Sequence, residues 1–334
     1  MHKKGFHIIL FTILMLACAC GSKPEADSAK KPTDKPSIVL DATAPTEKEK
    51  PPTDLMPGEP NPQAERTLED ADASLRAYER RVVSGDNILD NLYERPFTSQ
   101  VMDYQPDLNI LTAAIVSDDA FIYFTITLAS VDPVSGILNG TYGIEFDRTQ
   151  SGRGDLLVLV SQPGTEWSMK ELVAYTDTTG SVGGARPIVA EAGYPVDGYT
   201  EIVELGGDKV AWARMAPEDT YAVQIAVSRA LLGTEEFLWG AWADGEVKDP
   251  SLFDYNDHFA PVVAGSPIKT DTDYPLKELA SLDNTCRLPF KLENVRGIPG
   301  MCTSIPAASS GSSCVCVRWS SPLIALVCLE WDCD

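Results

Sequence analysis

The chain has 334 residues, a formal net charge of −22 and 44% hydrophobic residues. This excess of acid disfavours nucleic acid as a partner, because phosphates need a basic surface, and it disfavours adsorption to anionic lipid. Apart from His2 and His7 near the start, the only histidine is His258. That distribution excludes a zinc site built from several histidines in the body of the protein.

Residues 1–17 have the pattern of a secretory signal. Lys3 and Lys4 form a basic start, and an apolar run from Phe6 to Leu16 ends in small residues. The run is too short for a permanent membrane span and ends in cleavage-site chemistry. We therefore expect an exported protein on the extracytoplasmic face of the membrane.

The boundary LMLACACGS resembles a bacterial lipobox, in which the cysteine behind the cleavage site is acylated. Cys18 fits best, because Met15 supplies the larger apolar residue three positions upstream, and Cys20 is the alternative. Several acyl chains on one cysteine give stable anchoring, whereas a single chain binds membranes only marginally. The resemblance implies that the membrane is a partner through this acyl anchor.

Residues 18–66 are expected to form a disordered tether. From residue 21 to residue 66 the chain is rich in proline, lysine, glutamate and threonine and contains no aromatic residue. Such a composition cannot bury enough apolar surface to offset the loss of chain entropy.

Residues 67–84 are predicted to form a short helix. Thr67 stands where a cap is needed, and Asp70 follows three residues later, as in a capping box.

Residues 85–285 have the pattern of an antiparallel β-sandwich, so the fold class is mainly β. Short runs rich in Val, Ile, Tyr, Phe and Thr are separated by Gly, Asp and Pro, with no long amphipathic helix between them. In FIYFTITLA the side of Ile122, Phe124, Ile126 and Leu128 is wholly apolar and should face the core. Strands are predicted at 108–116, 121–129, 141–146, 156–161, 172–176, 199–205, 209–214, 221–227 and 237–242.

The order DLNILTAAIVSDDAFIYFTITLAS, YGIEFD with GDLLVLV, DGYTEIVEL and TYAVQIAVSRALLG resembles the DOMON-like sandwiches, which include family 9 carbohydrate-binding modules. The similarity covers roughly residues 100–245. It implies a sandwich that binds carbohydrate or a related wall-associated ligand. YERPFT, WADGE, YNDHF, AGSP and DNTCR also resemble segments of predicted bacterial lipoproteins, and this resemblance implies no catalytic residues.

The stretch 147–155 is a candidate calcium loop. Asp147, Thr149, Ser151 and Asp155 fall at positions 1, 3, 5 and 9 of an EF-hand-type loop, with Gly152 at position 6. Val158 replaces the bidentate glutamate at position 12, so binding would be weak. The alternative is a hairpin turn whose Asp and Gly residues satisfy the backbone.

Tryptophans offer a second candidate site, a platform on which a sugar ring could stack. Trp167, Trp212 and Trp242 are the predicted ligand-binding residues, and Trp239 is a further candidate. At least two of the four are expected in the core, where tryptophan usually lies in sandwiches.

Catalysis has little support in the sequence. There is no G-x-S-x-G elbow and no H-E-x-x-H helix, so we predict no catalytic residues. The leading hypothesis is a membrane-anchored, non-enzymatic protein that binds a carbohydrate or cell-wall ligand. A hydrolase that uses two carboxylates and a structural spacer without a ligand are the alternatives.

Residues 286–334 are predicted to form a small disulfide-rich tail. Six cysteines in an exported segment favour three disulfides. CVCVRW and LIALVCLEW flank Ser320, Ser321 and Pro322, and a hairpin with that loop sets Cys314 opposite Cys328. The predicted pairs are Cys286 with Cys302, Cys314 with Cys328, and Cys316 with Cys333.

Overall fold

The computed structural model describes residues 53–178, 180, 182, 198–253, 255, 258–292, 295, 298 and 300–302, and the backbone of 314–319 and 328–333. These residues belong to one compact unit, Pro51–Asp334. The predictions for the signal segment, for Cys18 and Cys20, and for the tether up to residue 52 lie outside the described residues.

Two antiparallel sheets form the protein, as the sequence pattern predicts. The five-stranded sheet has the order β1-β3-β4-β10-β9. Its strands are β1 (Arg66–Glu69), β3 (Ile110–Ser117), β4 (Phe121–Leu128), β9 (Ala211–Ala216) and β10 (Asp219–Ser228).

The eight-stranded sheet has the order β2-β12-β11-β5-β6-β7-β8, and β13 also pairs with β11. Its strands are β2 (Glu94–Arg95), β5 (Thr141–Asp147), β6 (Leu156–Ser161), β7 (Leu172–Thr176), β8 (Glu201–Ile202), β11 (Phe237–Asp244), β12 (Leu282–Asn284) and β13 (Leu288–Phe290).

The remaining elements are short. Two α-helices, α1 (Arg229–Leu232) and α2 (Pro261–Ala264), and three 3-10 helices, Ala73–Glu79, Ile88–Asp90 and Pro250–Leu252, connect the strands. A separate hairpin consists of β14 (Cys314–Trp319) and β15 (Cys328–Cys333). Among the residues that the structure describes, no helix has the length and apolar character needed to cross a membrane.

The main core lies between the two sheets. Ile122, Phe124, Ile126 and Leu128 of β4 all belong to it, which confirms the predicted alternation. The Phe124 ring contacts rings of the opposite sheet, with centroids 5.4 Å from Phe146 and 5.1 Å from Trp239. Burial of these aromatic side chains accounts for much of the attraction between the sheets.

A second apolar cluster covers the other face of the eight-stranded sheet. Leu157, Leu159 and Trp242 project from it and pack under loop residues that include Phe253 and Tyr255. Every residue of β11 is buried, since the strand is covered on both faces.

The predicted helix at 67–84 is wrong at its start, where a strand forms, and only a 3-10 helix, Ala73–Glu79, lies within the predicted range. Residues Arg66–Glu69 form an edge strand in which Thr67 pairs with Ala114, and Leu68 is buried in the main core. The helical turn that follows is a 3-10 helix capped by Asp72, whose side chain accepts a hydrogen bond from the Ser74 N–H at 2.9 Å. Pairing of Leu68 with β3 therefore outweighs the local capping signal.

Both boundaries predicted for the sandwich are also wrong. Residues 54–59, assigned to the tether, are hydrogen-bonded to Trp212 and Tyr123 of the five-stranded sheet and to Gly207 in the turn before β9. At the other end, β13 lies beyond residue 285 and still pairs with β11.

The disulfide Cys286–Cys302 is confirmed, but it lies in the sandwich and not in an appendage. Its Cα atoms are 5.0 Å apart. Cys302 is part of the main core and Cys286 packs against it.

The predicted hairpin in the tail is confirmed, whereas its register is wrong. Cys314 pairs with Cys333 and Trp319 pairs with Cys328. Cys328 is thus about 17 Å along the strand from Cys314, at roughly 3.4 Å per residue, which is beyond the reach of a disulfide. The same register sets Cys316 opposite Trp331, two positions from Cys333, so neither the predicted pairing of Cys314 with Cys328 nor that of Cys316 with Cys333 agrees with it.

Candidate functional site

The outer face of the five-stranded sheet, the side away from the main core, carries two of the predicted tryptophans. Strand register places Val116, Tyr123, Ala226 and Trp212 in one row across four strands. Directly opposed side chains in an antiparallel sheet lie on the same face. The row therefore forms an apolar patch at one end of that face.

Trp167 joins this patch from the loop between β6 and β7. The loop is fixed beside β9 by two backbone hydrogen bonds between Ser168 and Ala213, of 3.0 and 2.9 Å. The Trp167 ring packs 6.1 Å from the Tyr123 ring, and the Arg214 guanidinium lies 4.3 Å from its centroid. Trp167 and Trp212 are both half-buried, so part of each ring reaches solvent.

Polar side chains occupy the rest of the outer face. Thr125 pairs with Gln224, and Thr127 pairs with Thr112, on the same side of the sheet as Tyr123. All four are half-buried. Hydroxyl and amide groups beside stacked aromatic rings are the usual lining of a site for a neutral polar ligand.

Residues 54–59, which we name the strap, cross the aromatic end of this face. The Leu55 N–H donates to the Gly207 carbonyl at 2.7 Å, and the Trp212 indole N–H donates to the Leu55 carbonyl at 2.9 Å. The Gly58 N–H donates to the Tyr123 hydroxyl at 3.2 Å. The strap thereby limits how much of the aromatic patch is open.

Trp242 does not belong to this face. It is 1% exposed and packs in the second apolar cluster, with its ring 4.3 Å from that of Phe253. The prediction that Trp242 stacks on a surface ligand is therefore wrong. Trp239 is also buried, so two of the four tryptophans do lie in the core, as expected.

The Asp147 turn, residues 147–155, has the hydrogen bonding of the hairpin alternative. One oxygen of Asp147 accepts the Ser151 N–H at 3.0 Å, and the other accepts the Gly152 N–H at 2.7 Å. The Thr149 hydroxyl donates to Asp147 at 3.2 Å. The carboxylate is thus already used by donors of its own turn.

Asp155 is engaged in the same way. Its oxygens accept the Arg148 N–H at 2.8 Å and the Arg148 Nε–H at 2.5 Å. Burial raises the pKa of Asp155, and the hydrogen bond from Arg148 opposes that rise. The turn brings all four predicted calcium ligands together. However, its carboxylate oxygens already accept hydrogen bonds from N–H and O–H groups, whereas a calcium ion would need free oxygens.

A group that sequence reasoning missed is the carboxylate cluster, Asp70, Glu94 and Asp283. One oxygen from each residue lies within 4.8 Å of those of the other two. Glu94 in β2 and Asp283 in β12 are directly opposed in the antiparallel pair. Asp70 follows β1 at the edge of the other sheet, where its N–H donates to the Leu111 carbonyl at 3.0 Å.

The cluster is enclosed and strongly acidic. Glu94 is 4% exposed and Asp283 0% exposed. Asp70 is half-buried as a residue, while its Oδ2 atom is fully enclosed. Burial and then the neighbouring carboxylates raise the pKa of Glu94 and the pKa of Asp283 well above their usual range.

Gly85 closes one side of the cluster. A Cβ at this position would lie 2.6 Å from the Glu94 Cγ and Oε1 atoms, and the Gly85 φ angle is +121°. Only glycine accepts both the contact and the dihedral. No sequence motif marks the cluster, because its members are separated by 24 and 189 positions, as the numbers 70, 94 and 283 show.

A small cleft on the outer side of the eight-stranded sheet contains one buried acid, Glu145. Glu145, Arg287, Asn284 and Thr285 are among its lining residues. The Arg287 guanidinium is 3.0 Å from Glu145, and the Tyr199 hydroxyl donates to Glu145 at 3.0 Å. This buried ion pair connects β5 to the segment after β12, so its role is structural.

His258 lies in the turn after Tyr255, whose carbonyl accepts the His258 N–H at 3.1 Å. Its acidic neighbours in the sequence, Asp254 and Asp257, lie outside the described residues.

No protein family model, no curated protein and no solved structure matches this chain. The resemblance to DOMON-like sandwiches therefore stays an expectation, and function has to be argued from the geometry of the described residues alone.

Proposed function

We propose that this protein is an exported lipoprotein, anchored through Cys18 or Cys20, that binds a neutral polar ligand without chemical conversion. The proposed site is the outer face of the five-stranded sheet, and carbohydrate of the cell wall is the ligand class that suits it best. The observation that carries the proposal is that two half-buried tryptophans, Trp167 and Trp212, lie on the same face as Thr125 and Thr127.

Export is supported by two independent features. The first 17 residues have the signal pattern, and the Cys286–Cys302 disulfide is typical of oxidising compartments. The net charge of −22 favours a neutral ligand over an anionic polymer.

Sugar rings stack on aromatic faces through their C–H groups, and their hydroxyls need donors and acceptors nearby. Trp212 offers the aromatic surface, and Thr125, Thr127 and Gln224 offer the polar groups. The four lie on one face and on adjacent strands, so an extended sugar chain would meet them together.

The test is a glycan array probed with the chain from residue 21 onward, with and without EDTA. Binding should be at least about tenfold weaker in Trp212→Ala, if a sugar stacks on this ring as strongly as a nucleobase stacks on an aromatic side chain, which contributes on the order of 1–3 kcal/mol. Tyr78→Ala is the matched control, because Tyr78 is an aromatic residue that is 80% exposed on the 3-10 helix, away from this face.

Loss of binding in Trp212→Ala with normal binding in Tyr78→Ala would support the proposal. An array without any signal would favour the structural spacer. Turnover of a bound glycan would favour the hydrolase.

A further inference from the structure

We propose that the carboxylate cluster, Asp70, Glu94 and Asp283, binds one divalent cation, and that calcium is the ion it fits best. The cluster is distinct from the Asp147 turn and from the aromatic face. The inference does not depend on the proposed ligand.

The first argument is charge in a closed space. Three carboxyl groups meet within 4.8 Å, and two of them are directly opposed across a strand pair, where like charges destabilise a sheet. An isolated buried carboxylate is costly unless it is paired or binds a metal. The fold therefore needs a positive charge at this point.

The second argument is that oxygens of the cluster have no partner. Glu94 is 4% exposed, and within the described part of the chain its enclosed Oε2 atom has no hydrogen-bond partner and its carboxylate forms no ion pair. Asp70 Oδ2 and Asp283 Oδ1 are likewise enclosed without a partner among the described residues. Buried polar atoms are almost always hydrogen-bonded, so this convergence of bare oxygens points to a ligand.

The third argument is that the adjacent cation is used elsewhere. Arg95 follows Glu94 in β2, and successive side chains of a strand point to opposite faces. Its guanidinium binds Asp86 at 2.7 and 2.9 Å and the carbonyls of Ala264 and Leu279 at 3.1 Å. Arg95 therefore neutralises Asp86 and not the cluster.

The donor set selects the ion. All three ligands are carboxylates, which suit hard cations and not the metals that prefer sulfur or imidazole. Ca–O distances are about 2.3–2.6 Å, so oxygens on opposite sides of one calcium ion lie up to about 5 Å apart. The 4.8 Å limit is compatible with that span. Magnesium, with bonds of about 2.1 Å, requires a tighter and more regular set.

The position of the cluster indicates what the ion would do. Asp70 follows β1 in the five-stranded sheet, whereas Glu94 and Asp283 belong to the eight-stranded sheet. Asp283 also accepts the N–H of Ile110, the first residue of β3, at 2.7 Å. A cation held here would fasten the edges of the two sheets to each other, so its role is structural.

In the competing arrangement no ion binds, and the three carboxyl groups share protons instead.

Calcium titration of the full chain distinguishes the bound ion from the shared protons. Binding is measured by calorimetry, and stability by thermal unfolding in EDTA and in calcium. We expect one ion per chain and a saturable rise in Tm with calcium. Magnesium should give a smaller rise.

The variants are Glu94→Gln and Asp283→Asn, which keep the shape and remove one charge. Each should raise Tm in EDTA at a pH high enough to ionise the cluster, because a like charge is gone, and should weaken calcium binding by more than about 100-fold. Partners outside a ligand set already contribute about 10–100-fold. Asp147→Asn is the matched control and should keep the calcium response.

A variant that raises Tm in EDTA but lowers it in calcium, relative to the unaltered chain, identifies the cluster as the ion site. This holds even where the substitution changes the stability of the fold. A calcium response that Asp147→Asn abolishes and Glu94→Gln retains would overturn the inference in favour of the turn. Absence of any calcium response in the unaltered chain would overturn it in favour of shared protons.

Discussion

Arg214 and Glu59 form a two-point ion pair that fastens the strap to the five-stranded sheet. The Arg214 Nη1–H donates to Glu59 Oε1 at 2.8 Å, and the Nη2–H donates to Oε2 at 2.6 Å. The Arg214 side chain is 5% exposed, whereas that of Glu59 is 73% exposed. A buried guanidinium, stacked on Trp167, thus holds an exposed segment in place.

Glu59→Ala should release the strap without unfolding the sandwich. The exposed partner limits the ion pair to below about 1 kcal/mol, so the free energy of unfolding should change little. Limited proteolysis should cut at residues 54–59 several times faster than in the unaltered chain. Glu204→Ala, also at an exposed glutamate, is the control. Equal cleavage rates in both variants would contradict the assignment of the strap.

Acid should release the strap as well. The hydrogen bond from Arg214 lowers the pKa of Glu59 below its ordinary value of 4.5. A lowered pKa in the folded state means that the contact stabilises the strap above pH 4.5 and is lost as the pH falls through the lowered pKa. The indole N–H resonance of Trp212, assigned with Trp212→Phe, should shift below pH 4.5. In Glu59→Ala its position should no longer change over this pH range.

The two tryptophans should differ sharply in their effect on stability. Trp242→Ala removes a fully buried ring and should lower the free energy of unfolding by about 3–5 kcal/mol. Trp212→Ala removes a half-buried ring and should cost no more than about 2 kcal/mol. Urea denaturation of both variants gives the comparison, and similar costs would mean that Trp212 also belongs to the core.

Asp147→Ala should destabilise the protein independently of any ion. The Ser151 and Gly152 N–H groups lose a charged acceptor, and hydrogen bonds to charged groups contribute about 1.5–3 kcal/mol each. We expect a loss of about 2–4 kcal/mol in urea denaturation, the same in EDTA and in calcium. Ser151→Ala keeps its backbone N–H and should cost less than about 1 kcal/mol. A loss seen only in calcium would restore the turn as a calcium site.

Replacement of both Cys286 and Cys302 by serine should lower the free energy of unfolding by about 3 kcal/mol. The bond spans 16 positions of the sequence, and a closed loop of about that length constrains the unfolded chain by this amount. Cys302 is also buried in the main core, so a polar hydroxyl there adds to the loss. Urea denaturation of the unaltered protein after dithiothreitol treatment gives the loss due to the missing bond alone. The further loss in the serine variant is then due to changed packing.

Much of the sandwich could be predicted because side chains alternate between the two faces of a strand, which is a pattern of neighbouring residues. The predicted runs at 121–129, 141–146, 156–161 and 172–176 agree with β4 to β7 within a residue at each end. Alternation along β4 also identified which side chains face the core. The predicted Cys286–Cys302 bond is also confirmed, although Cys314 and Cys316 lie nearer to Cys302 in the sequence than Cys286 does.

The strand at Arg66–Glu69 and the register of the β14–β15 hairpin were not predictable in the same way. A capping signal is a local preference of about 1 kcal/mol, and pairing with β3 outweighs it. In the hairpin, several registers satisfy the alternation of apolar residues equally well, so the sequence did not select the pair Cys314 and Cys333.

By itself, the sequence determined the fold class and which faces of the strands meet the core, and it supplied the candidate export signal and the candidate tryptophans. Only the tertiary structure decided that Trp242 is buried, that the strap crosses Trp212, and that Asp70, Glu94 and Asp283 converge. The physical reason is range. Side-chain alternation depends on neighbouring residues, whereas these contacts form when the order of strands in two sheets brings distant segments to one edge.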